Sequence, residues 1–305
     1  MSRTILVLGA SGLIGNAAAR AFAAAGWQVR KYQRGTDMNA AAEGADVIFN
    51  GLNPPNYHDW DNIIPAITRQ VIAAGLASGA TVLQPATVYV YGDQSGPWSA
   101  DTPQLPVTRK GRIRMQMEAD FRAATERGLR VILLRGGDFI DPDAPRSLWN
   151  MISLKYIQYG RIISLADRDT RRAYAYLPDM ARAFVALAEK RAELPAYLDV
   201  AFGGHALTMA EVAGHVQALT GRRMKIHAYP WWLMTLAAPV WEMARELVEM
   251  RYLWRTSHSL DGSALDRLIP DFRATALDEV LRRQIVALAP RLIDQGRSMS
   301  TQTGR

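Results

Sequence analysis

The stretch Leu8-Gly9-Ala10-Ser11-Gly12-Leu13-Ile14-Gly15 decides the fold of this chain. It joins a short, β-branched apolar run at 4–8 to an Ala-rich run with recurring apolar residues at 13–25. The first run predicts a buried parallel strand and the second a helix. Glycines let the backbone turn tightly, and the free N–H groups at a helix start favour negative charge. The pattern therefore predicts a dinucleotide pyrophosphate site made of Gly9, Ala10, Ser11, Gly12, Leu13, Ile14 and Gly15.

The glycine spacing is G-x-x-G-x-x-G, whereas the commonest Rossmann fingerprint is G-x-G-x-x-G. This rhythm resembles that of the short-chain dehydrogenase/reductase family, whose usual form has Thr where this chain has Leu8. A tight strand-to-helix turn that binds no ligand is the alternative interpretation.

Composition restricts the class of protein. The chain has 305 residues, 49% hydrophobic and 21% charged, and it has no apolar stretch near the roughly 18 residues that span a bilayer. The absence of cysteine excludes disulfides and thiolate chemistry, and the five histidines show no metal-ligand spacing, so we expect no metal. The apolar run near the N-terminus is better explained by the glycine turn than by a signal peptide, which predicts a cytoplasmic protein without membrane contact.

The net charge of +7 raises the question of nucleic-acid binding. The basic residues, 31 Arg and five Lys, are spread along the chain without a run or an aromatic-interleaved patch. We therefore expect no nucleic-acid partner, and the charge suits an anionic cofactor.

The residues after the second predicted strand, 28–32, favour one cofactor. NAD-binding folds usually carry a carboxylate there for the ribose 2′-hydroxyl, whereas NADP forms carry Arg. This chain has Arg34, with Arg30 and Lys31 nearby and no carboxylate before Asp37. The pattern favours NADP(H) bound through Arg34; NAD stays open, and Arg34 as a solvated turn residue is the alternative.

Only 11 residues separate Arg34 from the next clear strand at 46–50, whereas a full helix-strand-helix insertion needs on the order of 30. One βα unit is therefore predicted to be reduced or missing. The loop 50–60 then follows a carboxyl strand end, where open α/β sheets bind ligands. Asn50, Gly51 and Leu52 are candidate cofactor contacts and His58 a candidate substrate contact, although Asn-Pro-Pro at 53–55 is also ordinary turn chemistry.

Two later segments make the resemblance more specific. Thr87-Val88-Tyr89-Val90-Tyr91-Gly92 resembles the Ser-x-x-Val-Tyr-Gly segment of extended short-chain dehydrogenases and nucleotide-sugar epimerases, which implies that Thr87 takes the place of the catalytic Ser. Their Tyr-x-x-x-Lys-x-x-x-Glu helix corresponds to 110–118 here. Lys110 stands at the position of the Tyr, and Arg114 stands at that of the Lys.

This substitution leaves the chemistry open. A guanidinium group does not deprotonate, so Arg114 can hold ribose hydroxyls but cannot relay a proton. Lys110 can serve as acid or base if burial lowers its pKa. Its alternative is a solvated residue ahead of a helix predicted at 112–127. Tyr89, a candidate substrate contact, and Tyr91 are further candidate proton donors.

The resemblance continues downstream. Asp138 stands at the substrate-contacting Asn of the family, and Arg172 stands where epimerases hold a substrate phosphate. Asp179 is interpreted as a helix-start residue for 180–189. The capping box at 208–211 opens a helix to about 220. The Trp-rich stretch 231–254 is interpreted as lobe core or a dimer face rather than a membrane-surface helix, because Pro239 and three glutamates oppose the latter.

We therefore predict an α/β fold with a Rossmann-type doubly wound parallel sheet and a small C-terminal substrate lobe. The dinucleotide-binding domain is assigned to 1–145 with 173–200, the lobe to 146–172 and 201–294, and a disordered tail to 295–305. The resemblance implies an atypical NAD(P)-dependent epimerase, dehydratase or oxidoreductase acting on a small carbonyl or hydroxyl compound or a nucleotide-linked sugar. A non-catalytic dinucleotide-binding regulator is the alternative, and a homodimer stays open.

Overall fold

The side chains of the first strand are all buried and alternate between two hydrophobic cores, one on each face of the sheet. In the computed structural model, which describes residues 3–145 and 147–293, Ile5 and Val7 enter one hydrophobic core while Leu6 and Leu8 enter another. Six parallel strands lie in the order β2-β1-β3-β4-β5-β9. They are β1 (Thr4–Leu8), β2 (Gln28–Lys31), β3 (Val47–Asn50), β4 (Thr81–Ala86), β5 (Val131–Arg135) and β9 (Tyr197–Ala201).

Helices cover both faces of this sheet, as the doubly wound prediction requires. The first core packs α1 (Leu13–Ala24) and α5 (Leu177–Glu189) against one face. The second packs α3 (Trp60–Ser78) and α4 (Arg109–Ala124) against the other. The predicted Rossmann-type fold class is confirmed.

Within residues 3–145 and 147–293, no strand pairs with the outer side of β2. Only the short helix α2 (Met38–Ala42) connects β2 to β3, and β3 pairs with the opposite side of β1. Too little chain is present between Lys31 and Val47 for another strand and its crossover helix. The predicted loss of one βα unit is confirmed, and β2 is left as the sheet edge.

The helix that carries Lys110 starts earlier than predicted. The Thr108 hydroxyl accepts a hydrogen bond from the Gly111 amide, so the helix begins at Arg109 rather than 112 and ends at Ala124 rather than 127. Lys110 therefore lies in its first turn. The interpretation of Lys110 as a solvated residue ahead of the helix is wrong, because the side chain has no exposed surface.

Two small sheets lie beside the carboxyl end of the main sheet. One contains β10 (His205–Leu207), β8 (Arg172–Tyr176) and β6 (Asp138–Ile140), and the other pairs β7 (Arg161–Ser164) with β11 (Lys225–Ala228). α6 (Met209–Thr220) starts with the predicted capping box, formed by Thr208 and Glu211. It packs with α10 (Leu277–Leu288) around a separate core. The domain boundaries proposed from sequence stay a prediction.

The Trp-rich stretch forms two helices, α7 (Trp231–Ala237) and α8 (Glu242–Glu249), because the chain is interrupted around Pro239. Trp231 and Trp254 are buried, whereas Trp232 and Trp241 are exposed, so the stretch is only partly lobe core. α9 (Ser263–Leu268) follows. Asp179 lies in the first turn of α5, and its carboxylate accepts hydrogen bonds from the amide and hydroxyl of Thr275. The predicted tail 295–305 lies outside the described residues.

Candidate active site

The glycine turn is folded closely on itself and on the end of β3. Gly9 has φ of +72°, and a Cβ there would lie 2.6 Å from the Gly51 carbonyl oxygen. A Cβ on Gly15 would lie 2.2 Å from the Gly9 carbonyl oxygen. Both positions therefore require glycine. No side chain caps α1 at Gly12, so its first amides remain available to an anion.

The predicted cofactor contacts lie together around this turn. Gly12, Leu13 and Ile14 line one cavity, and Asn50, Gly51 and Leu52 from the end of β3 line the same cavity. The Asn50 amide donates to Gln84 at 2.7 Å, which fixes the end of β3 against β4. Gly9, Ala10, Ser11 and Gly15 complete the turn itself. The arrangement fits a dinucleotide pyrophosphate, because a sharp backbone turn meets an uncapped helix start.

Basic groups lie at the exposed end of β2. Arg34 is exposed, and Nε and Nη2 of Arg30 are buried without a hydrogen-bond partner among the described residues. Asp37 instead caps α2, where its carboxylate accepts a hydrogen bond from the Asn39 amide at 2.9 Å. The first carboxylate after β2 is therefore engaged in a helix cap.

A cavity of about 570 Å³ runs from the glycine turn to the small β6-β8-β10 sheet. Thr87, Tyr89, Arg114, Asp138 and Arg172 all line it, so five of the residues predicted for catalysis or substrate contact meet at one site. Its wall also carries the aromatic side chains of Tyr57, Trp60, Phe139, Trp149, Tyr174 and Trp254. The Thr87 Oγ1 atom is buried without a hydrogen-bond partner among the described residues, which leaves it free to bind a ligand oxygen.

Lys110 lies beside this site but is not among the residues that line the cavity. Its ammonium group pairs with Glu246 and, at 2.6 Å, with Glu249, both on α8. Burial opposes the charge of Glu249, but the hydrogen bonds and charge of Lys110 together with the charge of Arg109 outweigh burial and lower the pKa of this carboxyl. Arg109 binds the same Glu246 at 2.9 Å. The first turn of α4 is thus fastened to α8 by ion pairs, and an acid/base role of Lys110 stays a prediction.

Arg114 points into the cavity and is held from two sides. Its Nη2 atom donates to Asn53 Oδ1 at 2.8 Å, and its guanidinium lies 4.6 Å from the ring centre of Trp60. Burial lowers the pKa of Arg114, although a guanidinium stays charged in proteins. Its Nε atom is buried without a hydrogen-bond partner among the described residues. Arg114 can therefore still donate to a bound group.

Two tyrosines form a pair in the cavity wall. Each phenol influences the ionisation of the other, and burial affects both. The pKa of Tyr57 is held well above its usual range by the charge that Tyr89 would carry and by burial. Burial also raises the pKa of Tyr89, while the charges of Arg114 and Arg172 oppose this rise. Sequence analysis singled out Tyr89 but not Tyr57.

His58 lies outside this cavity. Its Nδ1 atom is 3.2 Å from Glu242, and both residues line a separate surface cleft with Asp59, Asp61, Arg109, Arg245, Glu246 and Glu249. Tyr57 and Asp59, on either side of it, both have positive φ, 60° and 46°. This local backbone sends neighbouring side chains to different sides of the loop, which the loop sequence does not reveal. The predicted substrate contact of His58 stays a prediction.

Asp138 and Arg172 meet at the far end of the cavity. Arg172 Nη2 is 2.8 Å from Asp138 Oδ2, and the buried guanidinium lies 5.1 Å from the Trp254 ring centre. The Arg172 Nε atom is buried without a hydrogen-bond partner among the described residues. An anionic ligand would therefore share Arg172 with Asp138. Across the ranges 3–145 and 147–293, no group of three acidic or histidine ligands could hold a metal.

Residues 62–201 match the model of the NAD dependent epimerase/dehydratase family. No curated protein matches the chain. In the part of the chain that the structure describes, no helix is long and apolar enough to cross a membrane.

Solved structures share the fold over nearly the whole chain. MoeE5 in complex with UDP-glucose and NAD is 16% identical, with a TM-score of 0.72 over 95% of this chain and 100% of that chain. A UDP-glucuronic acid 4-epimerase from Bacillus cereus in complex with NAD is 16% identical, with a TM-score of 0.71 over 95% and 99%. A GalE-like L-threonine dehydrogenase from Cupriavidus necator is 16% identical, with a TM-score of 0.70 over 95% and 100%.

Proposed function

Because residues 62–201 carry the pattern of the NAD dependent epimerase/dehydratase family, we propose that this chain is a dinucleotide-dependent enzyme of that chemistry. It oxidises or reduces a small carbonyl or hydroxyl compound or a nucleotide-linked sugar, with NADP(H) preferred. The substrates named with the structural neighbours, UDP-glucose among them, make a nucleotide-linked sugar one candidate. L-Threonine dehydrogenase on the same fold makes a small hydroxy compound another.

One observation supports this proposal most directly: a single cavity joins the glycine turn to the polar groups predicted for substrate contact. Gly12 to Ile14 and Asn50 to Leu52 would hold the dinucleotide, and Arg114 would donate to its ribose. The dinucleotide would supply or accept a hydride. Thr87 Oγ1 would donate a hydrogen bond to the substrate oxygen, and Asp138 and Arg172 would orient polar groups at the far end.

The preference for NADP(H) rests on charge at the end of β2. Arg34 is exposed there, Arg30 carries unpartnered guanidinium nitrogens among the described residues, and Asp37 is engaged as a cap. A 2′-phosphate would find cations, whereas a free 2′-hydroxyl would lack the carboxylate that usually binds it.

Calorimetry with NADPH and NADH tests this preference. We expect NADPH to bind more tightly, and Arg34→Ala to remove most of the difference, because the exposed guanidinium would lose its 2′-phosphate contact. Arg127→Ala is the matched control. This arginine is also exposed, but it lies in the turn that follows the C-terminal end of α4 rather than after β2. Equal affinities in the parent protein would contradict the assignment of Arg34.

A dinucleotide-binding regulator without turnover is the second candidate. It is favoured by the burial of Lys110 among carboxylates, which takes the group at the family's tyrosine position out of the cavity lining. Incubation of the protein with NADPH and a broad panel of carbonyl compounds separates the two candidates. Robust oxidation of NADPH by any member excludes the regulator.

Binding of a nucleoside diphosphate tests the nucleotide-sugar class. We expect saturable binding that weakens in Arg172→Gln, and absence of binding to the parent protein by calorimetry would count against this class. The cytoplasmic location, the domain boundaries and a homodimer remain predictions from sequence.

A further inference from the structure

The phenols of Tyr57 and Tyr89 lie in the cavity that also contains Thr87 and Arg114. The family position for a phenol, residue 110, carries a lysine that does not line this cavity. The proposed redox chemistry nevertheless needs a group that exchanges a proton with the substrate oxygen. The inference below rests on that proposed function.

One backbone contact and one side-chain contact bring Tyr89 and Tyr57 close to α4. A Cβ on Gly111 would lie 2.6 Å from the Tyr89 carbonyl oxygen, so the absence of a side chain lets the 88–91 turn approach the first turn of α4. On the other side, the Lys110 ammonium lies 5.1 Å from the ring centre of Tyr57. Tyr57 therefore lies near Lys110, the residue at the family's tyrosine position, although Tyr57 belongs to a different loop.

Packing also fixes the orientation of Tyr57. Its ring lies 5.3 Å from the Trp60 ring, and the Arg114 guanidinium lies 4.6 Å from the same Trp60 ring. The left-handed backbone at Tyr57 costs free energy that the surrounding contacts must offset. A strained residue of this kind, in a cavity wall, is a candidate for function rather than packing alone.

The charges around Tyr89 come from three elements. Arg114 on α4 and Arg172 on β8 favour its ionised form, while Asp138 on β6 and burial oppose it. A hydrogen bond donated by the Tyr57 hydroxyl would favour the ionised form as well, because it would stabilise a negative oxygen on Tyr89.

We propose that Tyr89 is the proton donor and acceptor of this site and that Tyr57 is a positioning residue which donates a hydrogen bond to it. In reduction, the O–H bond of Tyr89 breaks and a new O–H bond forms on the substrate oxygen. The adjoining carbon gains the hydride that a reduced nicotinamide dinucleotide supplies. The Tyr89 phenolate then accepts the Tyr57 hydrogen bond and regains its proton from solvent; oxidation follows the reverse course.

Carbon-13 labelling of the tyrosine Cζ atoms tests the proposal without a known substrate. The signals of Tyr89 and Tyr57 are assigned with Tyr89→Phe and Tyr57→Phe, and each is titrated by NMR with and without NADP⁺. We expect NADP⁺ to lower the Tyr89 pKa by about one unit or more, because a positively charged ring would lie beside the phenol. Tyr57→Phe should raise it. Tyr159, an exposed tyrosine on the surface, should titrate unchanged.

The outcomes distinguish a wrong assignment of Tyr89 from a wrong proposed function. If calorimetry shows that NADP⁺ binds but the Tyr89 titration stays unchanged, the assignment of Tyr89 is overturned while dinucleotide binding stands. If neither NADP⁺ nor NAD⁺ binds the parent protein, the proposed function falls, and this inference falls with it. An unchanged Tyr89 pKa in Tyr57→Phe overturns the role of Tyr57.

Once the carbonyl panel identifies a substrate, steady-state kinetics test Lys110 as the alternative proton donor. Tyr89→Phe should lower kcat by about 100-fold or more with KM changed little. Lys110→Met is measured beside it, with the folded fraction taken from circular dichroism. Loss of kcat in folded Lys110→Met together with full kcat in Tyr89→Phe would assign the proton to Lys110 and overturn the proposal.

Discussion

Lys110 is a buried cation that is neutralised by carboxylates from a distant element of the chain. It occupies the first turn of α4, where the resembling family carries a tyrosine, and α8 provides Glu246 and Glu249 to neutralise it. Breaking a buried ion pair by removing one partner costs about 3–5 kcal/mol. The lysine is therefore part of the attachment of α8 to α4.

His258 supplies a pH-dependent contribution to stability. It stacks on Trp98 with ring centres 4.4 Å apart, and burial together with the charge of Arg172 lowers its pKa to about 4. The unfolded chain has an ordinary histidine pKa of about 6.5. Between these values the unfolded state binds the proton and the folded state does not, so stability falls as pH falls through this window.

We expect this effect to reach about 3 kcal/mol at the acid end of the window. Chemical denaturation across pH measures it, and His258→Gln should flatten the dependence in that range. His227→Gln, at an exposed histidine on β11, is the control and should keep the parent slope. An unchanged slope in His258→Gln would contradict the prediction.

Site residues could be predicted from the sequence where a strand or a recognised motif sets their position, and not where the backbone of a loop sets it. Thr87 and Tyr89 come just after β4, so their place at the cavity follows from the main sheet. Asp138 and Arg172 begin the paired strands β6 and β8 of the small sheet, and the family resemblance singled them out. Tyr57 and His58 are neighbours in a loop with left-handed residues, and only one of them enters the cavity. Asp59 is of a residue type that visits the left-handed region, but nothing in the sequence signals a positive φ at Tyr57.

The element that carries most of the cofactor prediction is the turn between β1 and α1. The three atoms nearest to a Cβ on Gly15 would be backbone atoms of Gly9 and Ala10, which cannot move aside as a flexible side chain can. Gly15→Ala should therefore open the turn, lower stability by about 1–3 kcal/mol and weaken NADPH at least about tenfold. Calorimetry and thermal unfolding measure both effects.

Gly214→Ala provides the matched control within a helix. A Cβ at this exposed position in α6 would contact nothing within 4 Å. Alanine in a helix interior is favoured over glycine by about 0.5–1 kcal/mol, so this variant should be slightly more stable and bind NADPH as the parent does. Equal behaviour of the two variants would contradict the close packing of the turn.

The type and order of the main elements were predictable because their apolar periods are strong. The ends were less so: α4 begins at its Thr108 cap, and the apolar stretch after Trp231 divides at Pro239. From the sequence, the acidic residues of α8 were interpreted only as evidence against a membrane-surface helix. Their pairing with α4 depends on contacts more than 130 residues apart, which no local pattern encodes.

At the scale of the whole molecule, β2 is an edge strand of the main sheet among the described residues. Edge strands with unpaired backbone groups are prone to pair with other chains, and charged side chains reduce this tendency. Lys31 is an exposed charge on this edge. Lys31→Val should therefore increase self-association severalfold, as measured by light scattering under mild heating. Lys31→Gln removes the charge without adding a β-branched side chain, and it should associate less than Lys31→Val.

The ion pairs between α4 and α8 also restrict how this sequence can change. Replacing Lys110 by tyrosine would remove the buried cation from Glu246 and Glu249 and leave them with the half-exposed Arg109. A tyrosine at this position would therefore require the glutamates on α8 to change as well, and the single substitution would give a less stable protein. We therefore expect residues 110, 246 and 249 to vary together among sequences that share this packing.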